Sequence, residues 1–156
     1  MLALTGWGPL ENDGSMPPVP LTQHQIDGLM RAARQAQRMA HNPYSGVEVG
    51  AALLCADSRV FVGCNVENAS FGLTLCAERV AVVRAVSEGI KDLAGIAICS
   101  NRPTPMMPCG ACRQFLHEFA ADLPVIVQGR GEERIETSLA RLLPQSFGPG
   151  DMASDG

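Results

Sequence analysis

Aromatic side chains and positive charge are both scarce in this 156-residue chain. Phe, Trp and Tyr together make up 4% of the residues. The 12 Lys and Arg residues are outnumbered by 16 Asp and Glu, which gives a net charge of -4. A nucleic-acid-binding protein needs a basic footprint, and a platform that stacks successive bases needs many aromatic rings. The composition therefore argues against a polynucleotide partner and favours a small-molecule substrate.

Long apolar runs are also absent, and no stretch reaches the length that crosses a bilayer. Residues 1–10 lack the basic start and sustained apolar run of a secretory signal. Six cysteines in a chain this long do not suit a small disulfide-stapled scaffold. We therefore expect a cytoplasmic protein without membrane contact, whose cysteines are metal ligands or buried thiols.

The remaining composition is that of a globular protein, with 46% hydrophobic and 18% charged residues. The length suits a single domain with a substantial core. Residues 1–20 are rich in Gly, Pro, Asn and Asp and are expected to form a flexible leader. We place the domain at 21–148 and a flexible tail at 149–156.

Helical and strand-like patterns alternate along the domain. A capping box at Thr22 and Gln25 opens a helix that we expect to end at Asn42-Pro43. A hairpin of strands is expected at 47–55 and 59–64. Next comes a helix at 74–87, with Val80, Val83 and Val86 on its inner face. The remaining predicted elements are a strand at 94–100, a helix at 110–120, strands at 124–128 and 132–135, and a short helix capped by Thr137 or Ser138 that runs to Leu142. This alternation predicts an α/β layered fold with the site at the ends of strands.

Two short motifs carry the strongest chemical signal, Cys76-Ala77-Glu78-Arg79 and Pro108-Cys109-Gly110-Ala111-Cys112-Arg113-Gln114. A catalytic zinc ion takes three protein ligands and keeps its fourth position for water, whereas a fourth cysteine would close the site. Both motifs fall at predicted helix N-termini, which favour negative charge and lower the pKa of thiols. We therefore predict that Cys76, Cys109 and Cys112 bind Zn²⁺.

Glu78 follows Cys76 by two residues and is not needed as a ligand. A carboxylate near zinc can move protons during the hydrolysis of an amine from a pyrimidine ring. The pattern C-x-E…P-C-x-x-C is the three-cysteine signature of zinc-dependent nucleoside and nucleobase deaminases. Glu78 is therefore the predicted general acid and base.

Three thiolates outweigh the +2 charge of zinc and would make the bound water less acidic. Hydrogen bonds from cations to the sulfur atoms would reduce this effect. Arg79 and Arg113 lie beside predicted ligands, and Arg79 is the favoured candidate. The other cysteines, at positions 55, 64 and 99, sit in strand-like apolar runs and are expected to be buried thiols. We expect Met106 and Met107, just before the second motif, to form part of the wall of the substrate pocket.

From about Gln25 to Phe147 the chain closely resembles the small homotetrameric cytidine deaminases. The resemblance rests on the two zinc motifs and on five further segments: Pro43-Tyr44-Ser45, Val49-Gly50-Ala51-Ala52, Gly63-Cys64-Asn65-Val66-Glu67-Asn68-Ala69-Ser70, Leu142-Leu143-Pro144, and Phe147. It implies a mixed sheet of about five strands between layers of helices. It also implies a homotetramer whose sites are shared between subunits, with cytidine and 2′-deoxycytidine as substrates in pyrimidine salvage.

The resemblance implies roles for residues whose function the pattern alone leaves open. Asn65 and Glu67, read alone, fit either an Asx-closed turn or recognition of substrate hydroxyls, and the resemblance assigns them to the ribose 3′-hydroxyl. The backbone amide of Ala77 is expected to face the pyrimidine. Phe147 is expected to reach into a neighbouring subunit's site and stack there.

Two positions depart from the family pattern. Val47 stands where a phenylalanine usually contacts the base, and Phe71 stands where a tyrosine is usual. A wider pocket at Val47 would admit N4-substituted cytidines, unless Phe71, Met106 or Met107 fills the space. Two alternative functions stay open: an aminohydrolase for modified or antibiotic cytosine nucleosides, similar to blasticidin-S deaminase, and a non-catalytic zinc-stabilised binding module.

Overall fold

The structure is a computed structural model that describes residues 20–152, so the predicted leader lies outside the described residues except for Pro20. Nine helices and strands are numbered here in chain order. They are α1 (Gln23–Gln37), β1 (Val49–Cys55), β2 (Val60–Cys64), α2 (Ala77–Ser87), β3 (Leu93–Ser100), α3 (Gly110–His117), β4 (Pro124–Gln128), β5 (Arg134–Ser138) and α4 (Leu139–Leu142). Short 3₁₀ turns form at Phe71–Leu73 and, within the predicted tail, at Pro149–Met152. No helix among the described residues is long and apolar enough to cross a membrane.

The five strands form one mixed sheet in the order β2-β1-β3-β4-β5. Strand β1 pairs antiparallel with both β2 and β3, the latter from Val49 opposite Ser100. The pair β3 and β4 is parallel, because α3 forms the crossover between them. Strand β5 returns antiparallel at the edge. The predicted α/β class and mixed five-stranded sheet are confirmed.

Helices cover both faces of this sheet and make three layers. Helix α1 packs on one face, where its apolar residues meet Ala52, Leu54 and Ala97. Helices α2, α3 and α4 cover the other face, over Leu53, Ile96 and neighbouring side chains. Alternate residues of β1 therefore pack into the cores on opposite faces of the sheet, because successive side chains of a strand point to opposite faces.

The capping box of α1 is confirmed, with the Thr22 hydroxyl accepting from the Gln25 amide. The predicted end of this helix is wrong, because α1 stops at Gln37, five residues before Asn42. Residues 38–48 instead turn toward the sheet, where His41 bridges to Val66. The early stop frees residues 43–47 to form one wall of the site.

The predicted inner face of α2 is only partly right, because Val86 packs against the core but Val83 does not. Its buried residues are Ala77, Glu78, Ala81, Val82 and Ala85, whereas Val83 is 44% exposed. The cause is close packing on β2, since a Cβ added at Gly63 would lie 2.4 Å from the carbonyl oxygen of Ala77. The alanines of α2 and Val82 therefore face the sheet, whereas Val83 lies at the surface.

Smaller differences concern where elements begin and end. Helix α2 begins at Ala77 and not at 74, α3 ends at His117 and not at 120, and β5 runs over 134–138 and not 132–135. The strands β1 and β2 begin at Val49 and Val60, slightly later than predicted. Ser138 occupies the N-cap of α4, but its side chain makes no capping hydrogen bond within the described chain.

Candidate metal and active site

Two helices begin at the same point in space, and each begins with a cysteine. Cys76 is the N-cap of α2, and Cys109 is the N-cap of α3. Both have the extended backbone usual for N-caps, yet neither sulfur caps its helix within the described chain. Cys112 lies in the first turn of α3 and is fully buried. The three sulfur atoms converge, all within 4.8 Å of one another.

The spacing of these sulfurs fits a zinc ion. Four ligands at the usual Zn–S distance of about 2.3 Å around a tetrahedral ion would place sulfurs about 3.8 Å apart. The Sγ atoms of Cys76 and Cys109 are 3.9 Å apart. Within residues 20–152, this is the one group of three or more His, Cys, Asp or Glu side chains placed to hold a metal ion. Three ligands would leave the fourth position open to water.

The thiols are coupled to one another. The pKa of Cys76 is lowered to about 5, chiefly by hydrogen bonding from the Cys112 thiol and also by Arg79 and Cys109. Burial opposes that decrease. The same coupling raises the pKa of Cys112, since the proton shared between the sulfurs stays on that atom. One sulfur of the group thus ionises readily and can begin binding a cation.

Glu78 lies in the first turn of α2 and is only 4% exposed. Burial is the main cause that raises the pKa of its carboxyl group, and the nearby Cys76 raises it further. A buried carboxyl without a structural ion-pair partner is uncommon, because burial penalises its charge. Its side chain lines the same cavity as Cys76 and Cys109.

The two arginines of the motifs make different contacts. The guanidinium of Arg79 donates to the Thr74 carbonyl at 2.8 Å and approaches Cys76 Sγ at 3.8 Å. Arg113 donates instead to the carbonyls of Pro108 and Leu142, at 2.8 and 2.9 Å. Arg79 is therefore the arginine that contacts a sulfur, whereas Arg113 fixes the loop that leads into α3.

A cavity of about 290 Å³ opens above the sulfurs, at the end of the sheet where β3 and β4 finish. Its apolar walls come from Val47, Val49, Ile98, Met106 and Met107, so the expected role of the two methionines is confirmed. Ala77 lines the floor beside Cys76 and is fully buried.

The polar rim of the cavity includes Asn65 and Glu67, which are held by the chain segment before β1. Asn65 Oδ1 accepts from the Val49 amide, and its Nδ2 donates to the Val47 carbonyl, both at 2.8 Å. Glu67 accepts from the amides of Tyr44 and Ser45 at 2.9 and 3.2 Å, and from the Ser45 hydroxyl. The Ser45 hydrogen bond is the main cause that lowers the pKa of Glu67.

Sequence reasoning gave no role to Ser45. Its side chain lines the cavity, donates to Glu67 and accepts from the Val47 amide at 3.0 Å. The Pro43-Tyr44-Ser45 segment is one of the family motifs, but Glu67, the partner of Ser45, lies 22 residues away along the chain. Only the fold brings the two together.

Phe147 and Phe71, which the sequence suggested as pocket residues, do not line this cavity. Phe147 is 61% exposed, and the Gln114 amide holds its backbone carbonyl at 2.8 Å. Phe71 is 72% exposed and packs edge-on against Tyr44, with ring centroids 5.5 Å apart. Phe71 therefore does not fill the space beside Val47.

A slightly larger cavity, of about 340 Å³, lies at the opposite end of the sheet, beside Leu54 and Pro124. The group of candidate metal ligands found in residues 20–152 is not there. The chemistry of the described chain is thus concentrated at the three cysteines.

Comparison with known proteins agrees with this geometry. Residues 23–128 match the family model for the cytidine and deoxycytidylate deaminase zinc-binding region. The cytidine deaminase of Sporosarcina psychrophila is 38% identical over 82% of this chain and 95% of its own length. That of Halalkalibacterium halodurans is 45% identical over 80% and 95%.

Solved structures give the same result. The crystal structure of cytidine deaminase from Burkholderia pseudomallei superposes with a TM-score of 0.75. It is 42% identical and covers 81% of this chain and 100% of that one. The chain belongs to the cytidine deaminase family.

Proposed function

We propose that this enzyme uses zinc to hydrolyse cytidine and 2′-deoxycytidine to uridine and 2′-deoxyuridine, with release of ammonia. The observation that carries the proposal is the buried Glu78 beside three converging cysteine sulfurs, on the floor of a nucleoside-sized cavity. Cys76, Cys109 and Cys112 would hold the metal. When bound, zinc supplies a Lewis acid that makes water acidic enough to react at neutral pH.

Glu78 would move the protons of the reaction. Its carboxylate takes a proton from the attacking water and delivers it to N3 of the ring as oxygen adds at C4. It then passes a second proton from that oxygen to the exocyclic nitrogen, which leaves as ammonia. One water is consumed, and the C4–N bond is replaced by a carbonyl. Burial keeps bulk water from competing for these protons.

The rim residues would recognise the sugar. Glu67 can accept ribose hydroxyl protons, because its lowered pKa keeps the carboxylate ionised and Ser45 fixes its position. The amide of Asn65 has one N–H beyond the bond to Val47, and that group can donate to the 3′-hydroxyl. The backbone amide of Ala77 would contact the pyrimidine. Arg79 would draw charge from Cys76 and so make the metal a better acid.

We also propose a homotetramer with shared sites. The exposed apolar side chains of Tyr44, Phe71, Leu73, Leu75 and Phe147 support it, because so many exposed large side chains are typical of an interface. Phe147 would stack in a neighbouring subunit's cavity. Light scattering should give four chains per particle, and an active monomer would contradict the assembly.

The six free cysteines support a reducing compartment, and we propose a cytoplasmic enzyme of pyrimidine salvage without nucleic-acid or membrane partners. The function is tested by a panel of cytosine nucleosides followed by loss of absorbance. Cytidine and 2′-deoxycytidine should both turn over. Inertness of both nucleosides would overturn the proposal.

A wider substrate range is a second candidate, favoured by Val47. Phe71 does not line the cavity and packs on Tyr44, so Met106 and Met107 are the residues placed to occupy the space that a phenylalanine would fill. N4-alkyl and N4-acyl cytidines should then be hydrolysed, and Val47→Phe should lower their kcat/KM relative to that of cytidine. An unchanged ratio would exclude the wider range, and rapid turnover of antibiotic nucleosides with slow turnover of cytidine would favour the blasticidin-S-deaminase-like alternative.

A further inference from the structure

The segment after α4 is held against α3 by side chains of that helix. Gln114 donates to the carbonyl of Phe147 at 2.8 Å. One turn later, the ring of His117 shares a hydrogen bond of 2.5 Å with the Ser146 hydroxyl. Two consecutive residues of the C-terminal segment are thus bound to consecutive turns of one helix.

Gly148 adds a steric contact to these bonds. A Cβ placed on Gly148 would lie 2.7 Å from Cε1 of His117, closer than real Cβ atoms approach, and 3.1 Å from its Nδ1, which is a tight contact. Its backbone is also fixed on the other side, because its amide donates to the Asp151 carboxylate at 2.7 Å and its carbonyl accepts from the Asp151 amide at 3.0 Å. A side chain at position 148 would therefore push the imidazole of His117 away from its present place.

Phe147 therefore stands between two immobilised neighbours. Ser146 is half-buried and Gly148 is buried, yet Phe147 between them is 61% exposed. With the backbone fixed on both sides, the direction in which its side chain leaves the chain is fixed as well. An aromatic ring that is held in position before contact loses less entropy when it binds.

We propose that His117 is a positioning residue that sets where Phe147 projects, through its hydrogen bond to Ser146 and its contact with Gly148. The inference rests on the proposed function, in which Phe147 enters a neighbouring subunit's cavity. His117 itself does not line the cavity described above. Its effect is on substrate affinity, since displacement of a contact group by about 1 Å is enough to weaken its action.

The test compares Gly148→Ala with Gly150→Ala as a matched control. Neither glycine has a left-handed backbone, and a Cβ at Gly150 would meet nothing within 4 Å. Gly148→Ala should raise KM for cytidine about 5-fold, the lower limit of what one lost stacking contact gives, with kcat and zinc content unchanged. Gly150→Ala should leave all three values unchanged.

A double-mutant cycle separates the steric contact from other effects of alanine at 148. His117→Ala should raise KM by a similar factor, and Gly148→Ala should add little in that background, because the imidazole it meets is gone. His117→Gln, which keeps a polar atom for Ser146, should restore part of the affinity. Ser146→Ala removes one hydrogen bond without adding volume and provides a milder variant if Gly148→Ala does not fold. Fully additive effects, or a fall in kcat and zinc content, would overturn the proposal.

Phe147→Ala distinguishes the two hypotheses. If it leaves KM unchanged, the proposed role of Phe147 is wrong. If it raises KM while Gly148→Ala, His117→Ala and Ser146→Ala do not, Phe147 acts in the site but His117 does not position it. Light scattering on each variant shows that the assembly is intact.

Discussion

The six cysteines form two groups with opposite properties. Cys76, Cys109 and Cys112 meet at the N-termini of two helices, where thiol coupling and Arg79 lower the pKa of Cys76 to about 5. Cys99 lies within β3, where burial raises its pKa to about 11. The thiol of Cys76 thus ionises readily where two helices begin, whereas the thiol of Cys99, which packs in the core under α1, stays neutral. Position at a helix N-terminus, and not the number of cysteines, separates the three proposed zinc ligands from the other cysteines.

The strand cysteines are part of the packing. Cys99 donates to the Gln37 side chain at 3.2 Å, and Cys64 donates to the Met39 carbonyl at 3.4 Å. Cys55 is buried, and burial raises its pKa. Cys55 and Cys99 are thus buried thiols as predicted, whereas Cys64 is only half-buried.

Replacing cysteines of each group by alanine should give the largest difference, in bound zinc and in activity. Cys76→Ala, Cys109→Ala or Cys112→Ala should remove nearly all bound zinc and all activity, because two sulfurs cannot hold the ion. Cys55→Ala, Cys64→Ala and Cys99→Ala should keep one zinc per chain. Metal analysis of the purified variants checks this, and full zinc in any motif variant would show that the ligand set is different.

Glu78→Gln should separate metal binding from turnover within the same motif. We expect kcat to fall by about 10²–10⁴-fold, the usual contribution of a general acid–base group, with zinc content unchanged. Glu88→Gln, at the other end of α2, is the matched control and should have normal kcat. Near-native turnover by the Glu78 variant would remove the carboxylate from the reaction.

Arg79→Gln should reduce zinc binding or turnover less than the cysteine and Glu78 variants do. Loss of the contact with Cys76 should reduce zinc affinity or kcat by about 10–100-fold, as is typical when a group that supports a metal ligand is removed. Arg79→Lys should be intermediate. Arg84→Gln is the control, because Arg84 lies on the same helix but donates to the Val62 carbonyl at 2.6 Å. Equal losses in both variants would indicate a general effect on α2.

The smallest expected effect concerns Cys99, a cysteine outside the candidate metal site. The pKa of Cys99 is raised from 9.0 to about 11, so the folded state favours its neutral form. Its contribution to stability is fully present below pH 9 and is lost as the pH rises through about 11. The total is on the order of 2–3 kcal/mol. Cys99→Ala should flatten the dependence of the unfolding free energy on pH in this window. Denaturant titrations at several pH values measure that free energy, and the same pH dependence in both proteins would contradict the prediction.

Local sequence spacing predicted which polar side chains come together better than it predicted the packing. The convergence of three cysteines beside Glu78 follows from motifs a few residues long. The buried face of α2 does not, because it depends on how closely the helix approaches Gly63 on a neighbouring strand. In the same way, the partners of Asn65 lie 16 and 18 residues away, at Val49 and Val47. Those contacts exist only once the sheet has formed.

The double attachment of Asn65 bears on how this enzyme can change over generations. The backbone around Val47 is fixed by bonds from Asn65 and Ser45, and none of them involves the Val47 side chain. Val47 is only partly buried where it packs on the core, so position 47 can accept other apolar side chains while these backbone bonds hold the wall of the pocket in place. A saturation library at this codon should yield mostly folded, metal-loaded proteins with diverse substrate preferences, so the site offers a single-step route by which selection can broaden or narrow what the enzyme deaminates.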